Sequence, residues 1–283
     1  MQTLNRFDTS DTGHELSEPP TIVFVHANGF PPESYRLLLK ALSDWAEVYT
    51  VEHRPLWVGG TAPQTLKWQN YANDLIKTLD QASKGPVWLL GHSMGAVTSL
   101  LLAKQRPDLV LGLIAIDPVL LPRRWIWAGR LLSVFARSSM PIVKRAIGRP
   151  HTFESYEAAF DFYRGKHVFQ RLSDAALLDY VHAGHHASRG QEVTLRWSGE
   201  WEACVYRSAP SVWSILRMLK PPMLGIAGSD SDVLSAQVLN RWRRTVKQLS
   251  LHVLSGGHLI PLEEPMQCAS LIKDFICAQK RSL

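Results

Sequence analysis

Gly91-His92-Ser93-Met94-Gly95 follows the apolar run Pro86-Val87-Trp88-Leu89-Leu90 and opens onto Ala96-Val97-Thr98-Ser99-Leu100. A G-x-S-x-G between a predicted strand and a predicted helix is a nucleophile elbow, a turn so tight that only small residues fit two positions either side of the serine. Gly91 and Gly95 meet that demand. Such a turn lifts the Ser93 hydroxyl above the sheet edge and aims the start of the next helix at it. Backbone N–H groups there can hold a developing oxyanion. Three fixed positions in five recur by accident, so the surrounding chain has to carry the reading.

The 283 residues suffice for one large α/β domain with an inserted cap. Hydrophobic content of 46% and charged content of 20% describe an ordinary globular chain. No stretch reaches the roughly 18 apolar residues of a membrane span, and Met1 to Pro20 lacks the apolar core of a signal peptide. Cys204, Cys268 and Cys277 are odd in number and show no metal-ligand spacing. Reduced thiols in a soluble, cytoplasmic protein account for them most simply.

The net charge of +6 is concentrated in one place. Between Leu121 and Pro150, Arg123, Arg124, Arg130, Arg137, Lys144, Arg145 and Arg149 occur with no acidic residue. Trp125, Ile126, Trp127, Leu131, Leu132, Val134 and Phe135 interleave with them. An amphipathic cap helix with its arginines in water explains the segment. Weak contact with an anionic membrane surface, or attraction of a negatively charged substrate, is the sharper alternative. No nucleic-acid-binding motif accompanies the charge.

Strand-length apolar runs alternate with helical stretches, the pattern of a mostly parallel sheet covered on both faces. Predicted strands are Thr21–His26, Glu47–Glu52, Pro86–Leu90, Val110–Ile116, Met223–Ala227 and Leu249–Leu254. Tyr35–Asp44, Trp68–Gln81, Ala96–Arg106, Ala236–Val246 and Pro265–Lys280 read as helices. From Val119 to Pro222 the rhythm breaks, helical patterns replace convincing buried strands, and half of the ten tryptophans occur. The expected division is a core of residues 1–118 and 221–283, with 119–220 inserted over the carboxyl ends of the strands, where open α/β sheets place ligands.

A serine hydroxyl needs a base, and the base an orienting carboxylate. His258, in the glycine turn Gly256-Gly257-His258 after the last predicted strand, is the base candidate. The acid is expected in Gly228-Ser229-Asp230-Ser231-Asp232-Val233-Leu234, with Asp232 favoured because it precedes an apolar pair and a helix start. Asp230 reads as a turn cap, and Asp117, beside Pro118, as a structural turn that could alternatively hold the acid. Two N–H donors are needed for the oxyanion. Met94 supplies one, and the loop His26-Ala27-Asn28-Gly29-Phe30-Pro31 the other, with Asn28 chosen over Gly29 and Phe30.

These four segments together resemble the α/β-hydrolase fold superfamily, over nearly the whole chain outside the insertion. The resemblance implies an α/β fold with a helical cap and a serine nucleophile. It matches Ser93 to the nucleophile, His258 to the base, Asp232 to the acid, and Asn28 and Met94 to the oxyanion hole. The family often has His-Gly in the first loop, where this chain has His26-Ala27. The implied chemistry is acyl transfer to water from a small-molecule carboxylic ester with an apolar acyl part, with no metal or organic cofactor. Phe30, His92, Trp125 and Trp127 are the pocket candidates. A thioester, a carbon–carbon bond hydrolysed by the same triad, and a non-catalytic binding protein on this fold remain the alternatives.

Overall fold

The computed structural model describes residues 2–7, 18–57, 61–63, 66–121, 140–188 and 190–281. Its strands are β1 (Leu4–Arg6), β2 (Thr21–Val25), β3 (Glu47–Val51), β4 (Val87–His92) and β5 (Val110–Ile116), then β6 (Thr152–Phe153), β7 (His185–Ala187), β8 (Val193–Leu195), β9 (Met223–Gly228) and β10 (Leu249–Leu254). The longer helices are α1 (Arg36–Ser43), α2 (Trp68–Ala82), α3 (Met94–Gln105) and α4 (Pro141–Ile147), followed by α5 (Tyr156–Arg164), α6 (Asp174–Gly184), α7 (Gly199–Arg207), α8 (Ala236–Thr245) and α9 (Pro265–Lys280).

Seven strands form one sheet in the order β1-β3-β2-β4-β5-β9-β10. Only β1 runs antiparallel, against β3. The two-residue period of a strand divides the core. Ile22 and Phe24 pack on the side of α1 and α9, while Val23 and Val25 pack on the side of α2 and α3. Helix α3 is buried at every position from Met94 to Ala103. It is therefore apolar all round rather than striped, as a helix enclosed by sheet and neighbours must be.

Register aligns the carboxyl ends of the central strands. Val25 pairs with Gly91, His92 with Ile116, and Ile116 with Ile226. The residues that follow, His26, Ser93, Asp117 and the loop after Gly228, consequently emerge at one edge of the sheet.

Between β5 and β9 the described chain carries α4 to α7 and a small antiparallel sheet, β6-β8-β7. The expectation of a segment without buried strands is corrected here. These strands are two or three residues long, too short for a period-two pattern to register. Trp125, Trp127 and the arginines from Arg123 to Arg137 lie outside the described residues.

Helix α8 docks through Trp242, which is wholly buried over Gly225 of β9 and belongs to the same core cluster as Met223, Ala227, Leu234 and Val238. Trp242→Ala is expected to cost about 3–5 kcal/mol, read as a lower urea midpoint. A loss below about 1 kcal/mol would contradict that packing.

Candidate active site

The elbow between β4 and α3 places Ser93 at φ 53°, ψ −113°, a strained backbone for a residue with a side chain. Its N–H donates to Ile116 O at 2.9 Å, which locks the turn onto β5. A Cβ at Gly95 would collide with the carbonyl of Val25, and one at Gly91 with the backbone of Ala96. Met94 begins α3, so its N–H has no acceptor within the helix.

His258 reaches the elbow from the loop after β10. Its Nε2 lies 3.0 Å from Ser93 Oγ, and its Nδ1 lies 2.7 Å from Asp117 Oδ1. The imidazole is 20% exposed and the Asp117 side chain fully buried. A carboxylate out of water needs donors. Asp117 has three, because Oδ1 also accepts from the Ser231 hydroxyl at 2.6 Å and Oδ2 from Gly228 N–H at 2.9 Å.

The expectation that Asp232 faces His258 is therefore corrected. Asp232 is exposed in the loop after β9, and from that loop it is Ser231 that turns inward, to Asp117. Asp117 does make a turn, with φ 39°. The turn is what carries its carboxylate under the imidazole at the end of β5. The sequence signal was its place one residue beyond a buried strand, at the same sheet edge as Ser93.

His92 is corrected as well. Rather than lining a pocket it is completely buried behind the elbow. Its Nε2 donates to His258 O at 2.9 Å, and its Nδ1 accepts from the Tyr35 hydroxyl at 2.7 Å. Tyr35 Oη in turn accepts from Ala27 N–H at 3.4 Å. Burial, then the nearby His258, drives the His92 imidazole far below its ordinary range, so it stays neutral. Glu263 holds the His258 loop from beneath, accepting from Gly257 N–H at 2.7 Å. Burial raises its carboxyl, with Asp117 adding to the effect. Tyr35, Ser231 and Glu263 carry no motif that would have announced them.

Next to the elbow, at Met94, a narrow cleft partly open to solvent is lined by His26, Asn28, Gly29, Phe30, His53, Tyr71, Met94 and Trp197, among others. Phe30 N–H is engaged by Ala27 O at 3.3 Å, whereas the Asn28 N–H has no acceptor among the described residues. The Asn28 side chain is not free for a ligand, since its Nδ2 donates to Glu202 O at 3.1 Å. Gly29, at φ 76°, passes close to the Glu202 carboxylate, which pairs with the largely but not fully buried Arg149. Arg149, one of the basic residues expected in water, is thus largely withdrawn from it, behind Trp197 of the cleft wall. Among the described residues no three His, Cys, Asp or Glu side chains are grouped to hold a metal ion.

The chain matches the alpha/beta hydrolase family over residues 22–271. It is 38% identical over 223 residues to lipase LipV of Mycobacterium tuberculosis, covering 76% of this chain and 78% of that protein. A shorter match, 35% identical over 100 residues, is to the sn-1-specific diacylglycerol lipase ABHD11 of Mus musculus. It spans 35% of this chain and 32% of that protein. Among solved structures, E-2-(acetamidomethylene)succinate hydrolase superposes with a TM-score of 0.77 at 22% identity, covering 98% of this chain and 99% of that one.

Two outcomes follow from the geometry. Asp117→Asn should slow fluorophosphonate labelling of Ser93 by about 1,000-fold or more, and Asp232→Asn should leave it within about twofold; the reverse ranking would return the role to Asp232. The buried histidines give the second. His26, His53 and His92 are all held below the ordinary range by burial, His53 at about 4. The unfolded chain therefore takes up protons that the folded chain refuses. Stability should fall as pH drops from about 6.5 toward 4, by up to ~1.4 kcal/mol per pH unit for each histidine. Urea unfolding at pH 7, 6 and 5 with no loss would contradict it.

Proposed function

This chain belongs to the alpha/beta hydrolase family, and we propose that it is a serine hydrolase cleaving small carboxylic esters through Ser93, His258 and Asp117. The observation that carries the reading is the unbroken hydrogen-bonded chain from Ser93 Oγ through the imidazole to the buried carboxylate. A non-catalytic binding role has no need for such a chain.

His258 Nε2 takes the Ser93 proton as Oγ attacks the ester carbonyl. The oxyanion that forms is held by the N–H groups of Met94 and Asn28, the donors the surrounding structure leaves unspent. Asp117 Oδ1 keeps the Nδ1 proton in place and stabilises the imidazolium. His258 returns the proton to the leaving alcohol. Water then repeats the sequence on the acyl-enzyme, with the same base and the same oxyanion donors. Nothing in the cycle requires a cofactor.

Residues 119–220 act as the cap that shapes the substrate space. Phe30, Leu56, Met94 and Trp197 give the cleft apolar walls, which suit an apolar acyl chain of modest length. The lipase names of two relatives agree with an ester substrate. Membrane-surface contact belongs on α4, where exposed Lys144 and Arg145 stand beside exposed Met140, Ile142 and Ile147. Among the described residues no helix is long and apolar enough to cross a membrane. Free thiols at Cys204, Cys268 and Cys277 fit a cytoplasmic location.

Hydrolysis of p-nitrophenyl esters from acetate to palmitate, with Ser93→Ala as the control, tests the activity. The expected result is turnover that peaks at short to medium chain length and disappears in the variant. Absence of Ser93-dependent turnover at every length would overturn the ester reading. Vesicle co-sedimentation tests the surface contact. Binding should rise with anionic lipid content and fall in Lys144→Glu/Arg145→Glu, and indifference to lipid charge would remove it.

A further inference from the structure

Two buried polar atoms, on neighbouring residues that line the cleft, have no part in the chemistry described above. His53 and Tyr71 are almost fully buried, and both line the cleft alongside Asn28 and Met94. Their rings meet edge to face, with centroids 4.9 Å apart. Neither His53 Nδ1 nor the Tyr71 hydroxyl has a hydrogen-bond partner among the described residues. Buried polar atoms are nearly always paired. Trp197 Nε1, on a third lining residue, is likewise unpartnered among the described residues, and such a group of exceptions around one cleft points to a partner that arrives from outside.

The hydrogen-bonding role of each atom is fixed by its surroundings. His53 Nε2 lies 3.0 Å from His26 O and must donate to it. His53 N–H donates to His26 Nε2 at 3.0 Å, while His26 Nδ1 donates to Ala27 O at 2.7 Å. The pair of histidines is thus locked in one tautomeric arrangement. His53, kept neutral by burial, presents a bare lone pair at Nδ1. Tyr71, whose ionisation burial also opposes, presents an O–H. No lysine, arginine, aspartate or glutamate lines the cleft among the described residues. An adjacent neutral acceptor and neutral donor, with the Arg54–Asp74 pair behind Tyr71 satisfied by itself and no charged side chain in the lining, select an uncharged group that both donates and accepts. The smallest such group is a hydroxyl.

We propose that His53 and Tyr71 form a subsite for a free hydroxyl carried by the ester substrate, so that the preferred substrates are hydroxylated esters rather than plain alkyl ones. The proposal rests on the ester-hydrolase reading above and deepens it. The hydroxyl lies on the acyl or on the alcohol side of the scissile bond, and two substrate pairs tell these apart. They are p-nitrophenyl butyrate against p-nitrophenyl 3-hydroxybutyrate, and ethyl butyrate against 2-hydroxyethyl butyrate.

In the wild-type protein the hydroxylated member of one pair should show about tenfold higher kcat/KM. In Tyr71→Phe, which removes a single unpartnered oxygen, that preference should shrink about fivefold or more. No preference in either pair, or a preference that Tyr71→Phe leaves intact, would overturn the proposal and reduce the two atoms to packing or to holding a water. Calorimetric titration of Ser93→Ala with 2-hydroxyethyl butyrate and with 3-hydroxybutyrate methyl ester keeps the two readings separate. If no ester is turned over, yet binding weakens in Ser93→Ala/Tyr71→Phe, the hydrolase reading fails and the subsite stands. Equal or absent binding in both proteins overturns the subsite as well.

Discussion

One close approach of backbones governs this molecule: α3 leaves β4 so abruptly that Gly95 lies against the carbonyl of Val25. Any side chain there would push the helix off the sheet. Ser93 absorbs the turn at a backbone conformation that costs about 1–3 kcal/mol. The cost is tolerated because the rest of the structure leaves no alternative. Ser93 N–H is tied to Ile116 O, and α3 is enclosed on all sides by apolar contacts. That single tie also sets the distance between Ser93 and Asp117, since Asp117 is the next residue after Ile116.

The buried carboxylate of Asp117 is the second fixed point. Because it cannot be left bare, it draws in the Ser231 hydroxyl, the Gly228 amide and the His258 imidazole. The loops after β5, β9 and β10 are thereby held by one charge. On the far side of the elbow, neutral His92 performs the complementary task with its two ring nitrogens, joining the His258 backbone to Tyr35 and so to the loop after β2. Four loops that are far apart in sequence are positioned by two buried side chains, one charged and one neutral.

The parts of this arrangement that could be read from sequence are those where local chemistry permits one answer. The core strands of the main sheet came out of apolar runs to within two residues at their ends, because central strands such as β2, β4 and β9 are buried on both faces and carry few polar positions. Ser93 and His258 stood out because the glycines around them demand unusual turns. Asp232 misled because an aspartate before an apolar pair resembles a family pattern, while the deciding fact is three-dimensional. At the end of β5 a carboxylate can be buried and supplied with three donors; in the loop after β9 it meets water. His92 misled for a related reason. Its position beside the nucleophile says nothing about which way an alternating strand residue points, and it points into the core. The small sheet β6-β8-β7 left no trace, since two or three residues cannot display a period.

The inserted segment does more than cover the cleft. Asn28, whose N–H has no acceptor among the described residues, is anchored through its side chain to the backbone of Glu202 on α7. The Glu202 carboxylate is paired in turn with Arg149, just beyond α4, and accepts from the Tyr206 hydroxyl at 3.1 Å. Arg149 also stacks against Trp197, a wall of the cleft. A buried ion pair adds little net stability, because desolvation offsets most of its attraction. It does impose one geometry, since moving either partner strands the other charge. The pair therefore fixes the loop that carries Asn28 to α7 and to the chain just beyond α4.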